Sequence, residues 1–95
     1  MIEVRQTSEF SGWLTRLRDH RARARILVRI DRLADGHFGD AKYFEGIGEL
    51  RVDYGPGYRV YFVRRGGTLV VLLCGGDKGS QKRDIQRASA MAQEV

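Results

Sequence analysis

Apolar and polar residues alternate through the second half of the chain with the period of two that is typical of β-strands. The alternation covers residues 49–54 and 58–63, and residues 69–74 are apolar throughout. A strand that is apolar at every position is buried on both faces. Two glycine-bearing turns, 55–58 and 65–68, separate the three segments. We therefore predict an antiparallel meander of three strands.

The glycines of the two turns specify their geometry. Pro56 suits the second position of a type II turn, and Gly57 suits the third position, which requires a positive φ. Gly66 and Gly67 suit a two-residue hairpin loop in which both residues have positive φ. A side chain at Gly57 would strain its turn.

Apolar residues at helical spacing predict two helices in the first half of the chain. The first apolar stripe consists of Phe10, Trp13, Leu14 and Leu17. Thr7 or Ser8 can cap this helix, and the stripe is lost near Asp19. A second helix is predicted over residues 21–34, with Gly36 as the residue that ends it.

The remaining segments complete the predicted order of elements. Residues 1–5 are a short strand, residues 37–47 are a loop rich in glycine and polar residues, and residues 78–92 form a C-terminal helix. The order is strand, two helices, three strands and a helix. We predict a single α+β domain over residues 1–95.

Charge and cysteine content narrow the class of protein. The net charge is +5, from 17 Lys and Arg against 12 Asp and Glu, which favours an anionic partner such as nucleic acid, a ribosome or an acidic protein. Cys74 is the only cysteine, so we expect a buried thiol in a reducing compartment. We find no secretory or membrane-spanning pattern. We expect a cytoplasmic protein without membrane contact, cofactor or metal.

One side of the second helix carries what we call the arginine stripe. The stripe consists of Arg21, Arg25, Arg29 and Arg32. It lies opposite the apolar side of the helix, so we expect its removal to leave the core intact. It is either a solvated surface or a contact surface for phosphates or carboxylates. The choice of arginine over lysine favours contact, because the guanidinium fork matches both anions. Lys42, in the predicted loop, adds another cation.

A second candidate site lies on the predicted sheet. Arg51 and Arg59 are on neighbouring strands and face the same side, together with Tyr61, and Lys78 follows the third strand. Such a face is either solvated, with carboxylates pairing the arginines, or a site that binds a phosphodiester. Cleavage of RNA by attack of a ribose 2′-OH needs charge stabilisation, a proton acceptor and a proton donor.

Four motifs carry a resemblance to a known family. They are Glu49-Leu50-Arg51, Gly55-Pro56-Gly57-Tyr58-Arg59-Val60-Tyr61, Gly75-Gly76-Asp77-Lys78 and Gln81-x-x-Asp84-Ile85. With the order of elements, they resemble toxins of the RelE/ParE superfamily from bacterial type II toxin–antitoxin modules, in particular the HigB-like or phage-derived addiction module killer protein branch. The resemblance implies a RelE-like fold: a small antiparallel sheet, an N-terminal helical hairpin packed on one face, and a C-terminal helix.

The resemblance also implies a function. Many such toxins are ribosome-dependent endoribonucleases (mRNA interferases) that cleave mRNA and arrest translation. The implied partners are a cognate antitoxin, a small helix-turn-helix protein encoded next to the toxin, together with the ribosome and mRNA. Two alternatives stay open. One is a ParE-like inhibitor of DNA gyrase on the same fold, and the other is a non-catalytic nucleic-acid-binding or adaptor module.

Site residues carry over by their motifs. Arg59 matches the arginine that contacts the reacting phosphate, Arg51 falls near a basic position of the preceding strand, and Lys78 falls where relatives place a basic residue. We expect Arg59 and Lys78 to be partly exposed and to contribute little to the fold. The arginine stripe would dock on ribosomal RNA.

The proton-transfer groups differ from the family pattern. Some ribosome-dependent relatives carry a C-terminal tyrosine or histidine, whereas this chain has Gln81 or Asp84 there. Tyr61 or Asp84 would therefore assist proton transfer. The identity of the base stays open, and with it the choice between ribonuclease and gyrase inhibitor.

Overall fold

A mixed five-stranded sheet with helices on both faces forms the protein. The computed structural model describes residues 1–95. Its elements are β1 (Glu3–Gln6), α1 (Ser8–Arg16), α2 (His20–Ala34), β2 (Ala41–Phe44), β3 (Ile47–Val52), β4 (Tyr58–Arg65), β5 (Leu69–Asp77), a 3₁₀ turn (Lys78–Ser80) and α3 (Gln81–Ala92). The predicted α+β class is confirmed, and the architecture is compatible with a RelE-like fold.

The order of strands in the sheet is β1-β5-β4-β3-β2. Strands β2 to β5 form an antiparallel meander that contains the three predicted strands. Strand β1 adds to the edge of β5 in the parallel sense. The sheet is therefore mixed rather than purely antiparallel. Two helices separate β1 from the meander, and the sequence does not specify in which direction so distant a strand joins.

Strand β2 lies in the segment that the sequence predicts to be a loop. That prediction is wrong for residues 41–44, which pair with β3 through a two-residue connection. Gly46 has a φ of 83° in that connection. Gly46, one of the glycines that indicated a loop, thus belongs to the turn of a tight hairpin.

Both predicted turns form, with different details. The loop between β4 and β5 spans residues 66–68, and only Gly66 has a positive φ (63°), so the two-residue loop is wrong. The positive φ of Gly57 (81°) is confirmed. The turn hydrogen bond runs from the N–H of Gly57 to the carbonyl of Tyr54 (3.1 Å), one residue earlier than the type II assignment requires.

Thr7 caps α1 as predicted, and Asp19, predicted only as the end of the first apolar stripe, caps α2. Thr7 Oγ1 accepts a hydrogen bond from the N–H of Phe10 (3.1 Å), and Asp19 Oδ1 accepts one from the N–H of Ala22 (3.1 Å). Gly36 follows α2 with a φ of 89°, as expected of the residue that ends a helix. None of the three helices is long and apolar enough to cross a membrane.

The two faces of the sheet carry separate cores. On the face that carries α1 and α2, the buried residues are Phe10, Leu14, Ile26, Ile30, Leu33, Leu50, Val52, Val60, Phe62, Val70 and Leu72. On the α3 face, they are Ile47, Tyr61, Val63, Leu73, Cys74, Ala88 and Ala92. The third predicted strand contributes to both, as its apolar pattern indicates. Burial raises the pKa of the Cys74 thiol to about 12, in line with the buried thiol predicted.

Candidate functional site

A groove of about 370 Å³ lies beside the β3–β4 turn, on the part of the α3 face that the helix leaves uncovered. We call it the cationic groove. Its lining residues are Asp40, Arg51, Asp53, Gly55, Pro56, Gly57, Arg59 and Lys78. Three cations and two carboxylates thus share one polar concavity. The three predicted basic residues of the sheet site come together here. No group of three or more His, Cys, Asp or Glu side chains is placed to hold a metal ion.

Arg51 lies directly opposite Arg59 in the β3–β4 ladder, as predicted. Its Nε and Nη2 donate to Asp40 Oδ1 at 3.2 and 3.0 Å. The side chain is 40% exposed, so its outer edge stays open to solvent. Asp40 lies just before β2, and no sequence pattern pairs it with Arg51. This ion pair lowers the net positive charge of the groove.

Arg59 is partly exposed, as predicted, but most of its side chain is covered. Only 11% of its side chain is accessible, and its Nε lies 4.0 Å from Glu49 Oε1. Its Nη1 donates to the carbonyls of Gly57 and Tyr58 at 3.3 Å each. The expectation that Arg59 contributes little to the fold is therefore wrong. Loss of its guanidinium would leave the buried Glu49 carboxylate without a positive partner, which is costly.

Lys78 is exposed, as predicted, and begins the 3₁₀ turn that follows β5. Asp77 Oδ1 caps this turn by accepting hydrogen bonds from the N–H groups of Gly79 (2.8 Å) and Ser80 (3.2 Å). The cap fixes the backbone that carries Lys78 beside Gly57: a Cβ added to that glycine would lie 3.4 Å from Lys78 Cβ. The turn and the lysine thus form adjoining walls of the groove.

Tyr61 points to the same face as Arg59, but α3 covers it completely. Burial, together with the neighbouring Glu49 carboxylate, raises the pKa of the Tyr61 hydroxyl. Tyr61 does not line the cationic groove, so the proton-transfer role that the sequence assigns to it stays a prediction.

Asp84 is also buried, with 7% of its surface exposed. Its Oδ2 accepts a hydrogen bond from Ser80 Oγ (2.5 Å) and packs on Gly76, where an added Cβ would lie only 1.9 Å away. The carboxylate therefore fixes the start of α3 over the end of β5. Asp84 does not line the cationic groove, and its role in proton transfer stays a prediction.

Sequence reasoning names Glu49 only as a possible partner of the arginines on a solvated face; the structure places it beside Arg59, but its burial was not predicted. The alternating pattern assigns it to a solvated face, yet it is fully buried. Gln81 Nε2 donates to Glu49 Oε2 at 2.9 Å, so α3 covers the carboxylate and binds it. The apolar residues Val63 and Cys74, which point to the same face, were a signal that part of this face is covered.

The arginine stripe is divided by the structure. Arg21, Arg25 and Arg32 are exposed and line a second groove of about 620 Å³, which we call the helix groove. The guanidinium of Arg25 lies 4.6 Å from the ring centroid of Tyr54. Asp53 lines both grooves, so the two adjoin at this residue.

Arg29 also lines the helix groove, but its guanidinium is bound by the backbone of neighbouring elements. Its guanidinium donates to the backbone carbonyls of Arg51, Phe38 and Asp40. Burial lowers the pKa of Arg29. The expectation that the whole stripe can be removed without damage is therefore wrong at this position. The bonds join α2 to β3 and to the segment before β2.

Lys42 lies on β2 rather than in a loop, and it is exposed. It pairs with Glu49 across the strands, so its side chain is on the α3 face. Its Nζ lies 5.3 Å from the ring centroid of Phe44. Lys42 extends the positive charge of this face to the edge of the sheet without lining the cationic groove.

The protein is a small α+β domain with helices on both faces of its sheet. Arginine and lysine side chains line its groove, which suits an anionic partner. Residues 13–93 match the family described as "Phage derived protein Gp49-like (DUF891)", and the chain belongs to this family. It is a toxin-like family of addiction modules. A 50% identical relative from Haemophilus influenzae, an "Uncharacterized protein", aligns over 95 residues, 99% of this chain and 96% of its own. No solved structure matches the chain.

Proposed function

We propose that this chain is the toxin of a type II toxin–antitoxin pair, that it is a HigB-like member of the RelE/ParE superfamily, and that it acts as a ribosome-dependent endoribonuclease. Family membership supports the toxin assignment, and the four motifs support the finer one. The convergence of Arg51, Arg59 and Lys78 in one polar groove is the observation that carries the proposed chemistry.

The cationic groove suits the phosphate of an RNA backbone. Lys78 supplies a flexible, exposed ammonium, and Arg59 supplies a guanidinium held at the wall of the groove. Both stabilise the extra negative charge that develops on the phosphate oxygens when the 2′-oxygen attacks. Arg51, with its guanidinium already bound by Asp40, positions the backbone rather than supplying the main stabilising charge.

The reaction forms a bond between the 2′-oxygen and phosphorus and breaks the bond from phosphorus to the 5′-oxygen. The products are a 2′,3′-cyclic phosphate and a 5′-hydroxyl end. Asp53 is exposed and has no ion-pair partner, so it is the carboxylate that takes the 2′-OH proton. Lys78 gives a proton to the leaving 5′-oxygen.

The exposed arginines of the helix groove extend the same surface. Arg21, Arg25 and Arg32, with Lys42 on the sheet edge, would contact phosphates of ribosomal RNA. Because Asp53 lines both grooves, RNA bound along the helix groove leads to the cationic groove. The antitoxin partner would be the small helix-turn-helix protein encoded next to the toxin.

One observation favours an inhibitor without a nuclease site. Tyr61 and Asp84 are both buried. No tyrosine or histidine lines the cationic groove. A ParE-like gyrase inhibitor or a nucleic-acid-binding adaptor needs no such group. The gyrase inhibitor would give stalled gyrase and DNA damage, whereas the adaptor would not arrest growth.

Cleavage by purified ribosomes programmed with a defined mRNA tests the proposal. The wild-type protein is expected to cut the mRNA, and Lys78→Ala to lower the rate about 10²–10³-fold. Lys82→Ala is the matched control, because Lys82 is exposed on α3 and lies outside the groove. Absence of cleavage by the wild-type protein, or equal rates for the two lysine variants, would contradict the proposed function.

A further inference from the structure

Unpartnered buried polar atoms concentrate beside the cationic groove. Four side-chain nitrogen or oxygen atoms in the molecule are buried without a hydrogen-bond partner, and three of them are Glu49 Oε1, Arg59 Nε and Tyr61 Oη. Glu49 and Tyr61 face each other across the β3–β4 ladder, and Glu49 Oε1 lies 4.0 Å from Arg59 Nε. Such groups are rare in folded proteins, and a cluster of them calls for an explanation.

The Glu49 carboxylate is fixed in place. It is fully buried on β3, and its Oε2 accepts the hydrogen bond from Gln81 at the start of α3. Its other oxygen therefore faces Arg59 in a fixed geometry. The low dielectric of the site makes the attraction between the two charges strong, because little water screens it.

Arg59 is held from two sides. Glu49 attracts its Nε, and the carbonyls of Gly57 and Tyr58 accept from its Nη1. A free arginine side chain samples many rotamers, and ordering it costs entropy. These contacts order the guanidinium before a substrate arrives, with the remaining edge at the wall of the cationic groove.

We propose that Glu49 is the positioning residue for Arg59, and that its buried carboxylate sets the orientation in which the guanidinium meets a phosphate. This inference rests on the proposed function of the groove. A contribution to stability alone does not explain the Glu49–Arg59 pair. Apolar residues of similar volume often stabilise a core at least as much as a buried ion pair does. The apolar neighbours Val63 and Leu73 are such residues on the same face.

A double-mutant cycle tests the coupling between the two residues. The variants are Glu49→Gln, Arg59→Gln and the pair together. Glu45→Gln is the matched control, because it removes the same charge from an exposed position outside the cationic groove. The two readouts are the single-turnover rate of cleavage by programmed ribosomes and the affinity for a 2′-deoxy oligonucleotide that cannot be cleaved.

We expect Glu49→Gln to lower the cleavage rate about 10–100-fold, as misplacement of a stabilising group does, with little change in affinity for the oligonucleotide. In the Arg59→Gln background, Glu49→Gln should have no further effect, because the residue it positions is gone. Equal rates for Glu49→Gln and Glu45→Gln would overturn the proposal. So would a full additional loss in the Arg59→Gln background.

A second measurement separates this proposal from the proposed function. The ¹⁵N resonance of Arg59 Nε is followed during titration with inorganic phosphate, which needs no cleavage. Loss of the phosphate-induced shift in Glu49→Gln supports positioning even if the wild-type protein cuts no RNA, and an unchanged shift overturns it. If Glu49→Gln does not fold, Gln81→Ala replaces it, since that change frees the carboxylate but keeps its charge. If phosphate then shifts the Arg59 Nε resonance of Gln81→Ala as much as that of the wild-type protein, the proposal is overturned.

Discussion

The two faces of the sheet use the same strands for different purposes. On the α1/α2 face, Leu50 and Val60 join a continuous apolar core. Their neighbours in the same strands, Arg51 and Arg59, point to the α3 face and line the cationic groove. Helix α3 covers only part of that face. The strands thus supply stability on one side and a charged site on the other, and the period of two separates these roles.

Consecutive glycines at the end of β5 illustrate the same division. A Cβ on Gly75 would lie 2.3 Å from the ring of Trp13 on the α1/α2 face, and a Cβ on Gly76 would collide with Asp84 on the α3 face. Each glycine lets one helix approach the sheet. The first approach completes an apolar core, whereas the second fixes α3 at the border of the groove.

The largest effect is expected from the α1/α2 face. Phe10 is fully buried there, and Phe10→Ala should lower the free energy of unfolding by about 3–5 kcal/mol, because it removes apolar contacts and leaves a cavity. Urea unfolding followed by circular dichroism measures this. A loss below about 1 kcal/mol would mean that the core is not packed as described.

The next effect tests whether one arginine of the stripe belongs to the fold. Arg29→Gln should cost about 1.5–3 kcal/mol, because three backbone carbonyls lose a charged donor. Arg25→Gln is the control, since Arg25 is exposed and should change stability by no more than about 0.5 kcal/mol. Thermal unfolding of both variants measures the difference in stability. Equal stabilities would show that the hydrogen bonds of Arg29 do not stabilise the fold.

The β3–β4 turn links the two faces. Gly57→Val should cost about 1–3 kcal/mol, because the residue has a φ of 81° and a β-branched side chain is strained there. The new Cβ would make only an ordinary van der Waals contact of 3.5 Å with Arg59 Nη1, so the cost comes from the backbone. Gly67→Val is the matched control: Gly67 has no positive φ, and nothing lies within 4 Å of an added Cβ. Similar costs for both variants would rule out backbone strain as the cause.

The smallest effect concerns an ion pair that joins α1 to α3 around the sheet. Glu9 accepts hydrogen bonds from Arg87, and this pairing lowers the pKa of Glu9 below its ordinary value of 4.5. A depressed carboxylate pKa stabilises the fold above the unfolded value and loses that contribution as the pH falls through the folded value. Arg87→Gln should therefore be slightly less stable than wild type at neutral pH, and the difference should vanish once the pH lies below the folded-state pKa of Glu9. A difference that persists in acid would show that packing, not charge, is its source.

Local patterns in the sequence predict much of this fold. The alternation in residues 49–63 predicts which side chains lie on each face of the sheet, because side-chain direction follows directly from strand geometry. It also predicts that Arg51 and Arg59 are neighbours across the strands. Thr7, Asp19 and Gly36 give the helix ends, because capping depends on neighbours in sequence. These features are local, so local patterns suffice.

Features that depend on distant contacts could not be predicted in this way. Whether Glu49 and Tyr61 are buried depends on where α3 lies, and Gln81, which covers Glu49, is 32 residues away in sequence. The pairing of Arg51 with Asp40 likewise depends on strand β2, a four-residue strand within a segment whose glycine content resembles a loop. The cations of the candidate site and the exposure of Lys78 were predictable, but the burial of most of the Arg59 side chain was not.

Expression from a tightly regulated promoter, followed by mapping of RNA 5′ ends, tests the central claim that the cationic groove acts on RNA. Lys78→Ala is the informative variant, because Lys78 is exposed and its loss should change stability by no more than about 0.5 kcal/mol. The account predicts growth arrest with new 5′ ends in translated mRNA for the wild-type protein, and neither for a folded Lys78→Ala. Arrest without new 5′ ends, or undiminished cleavage by Lys78→Ala, would contradict it.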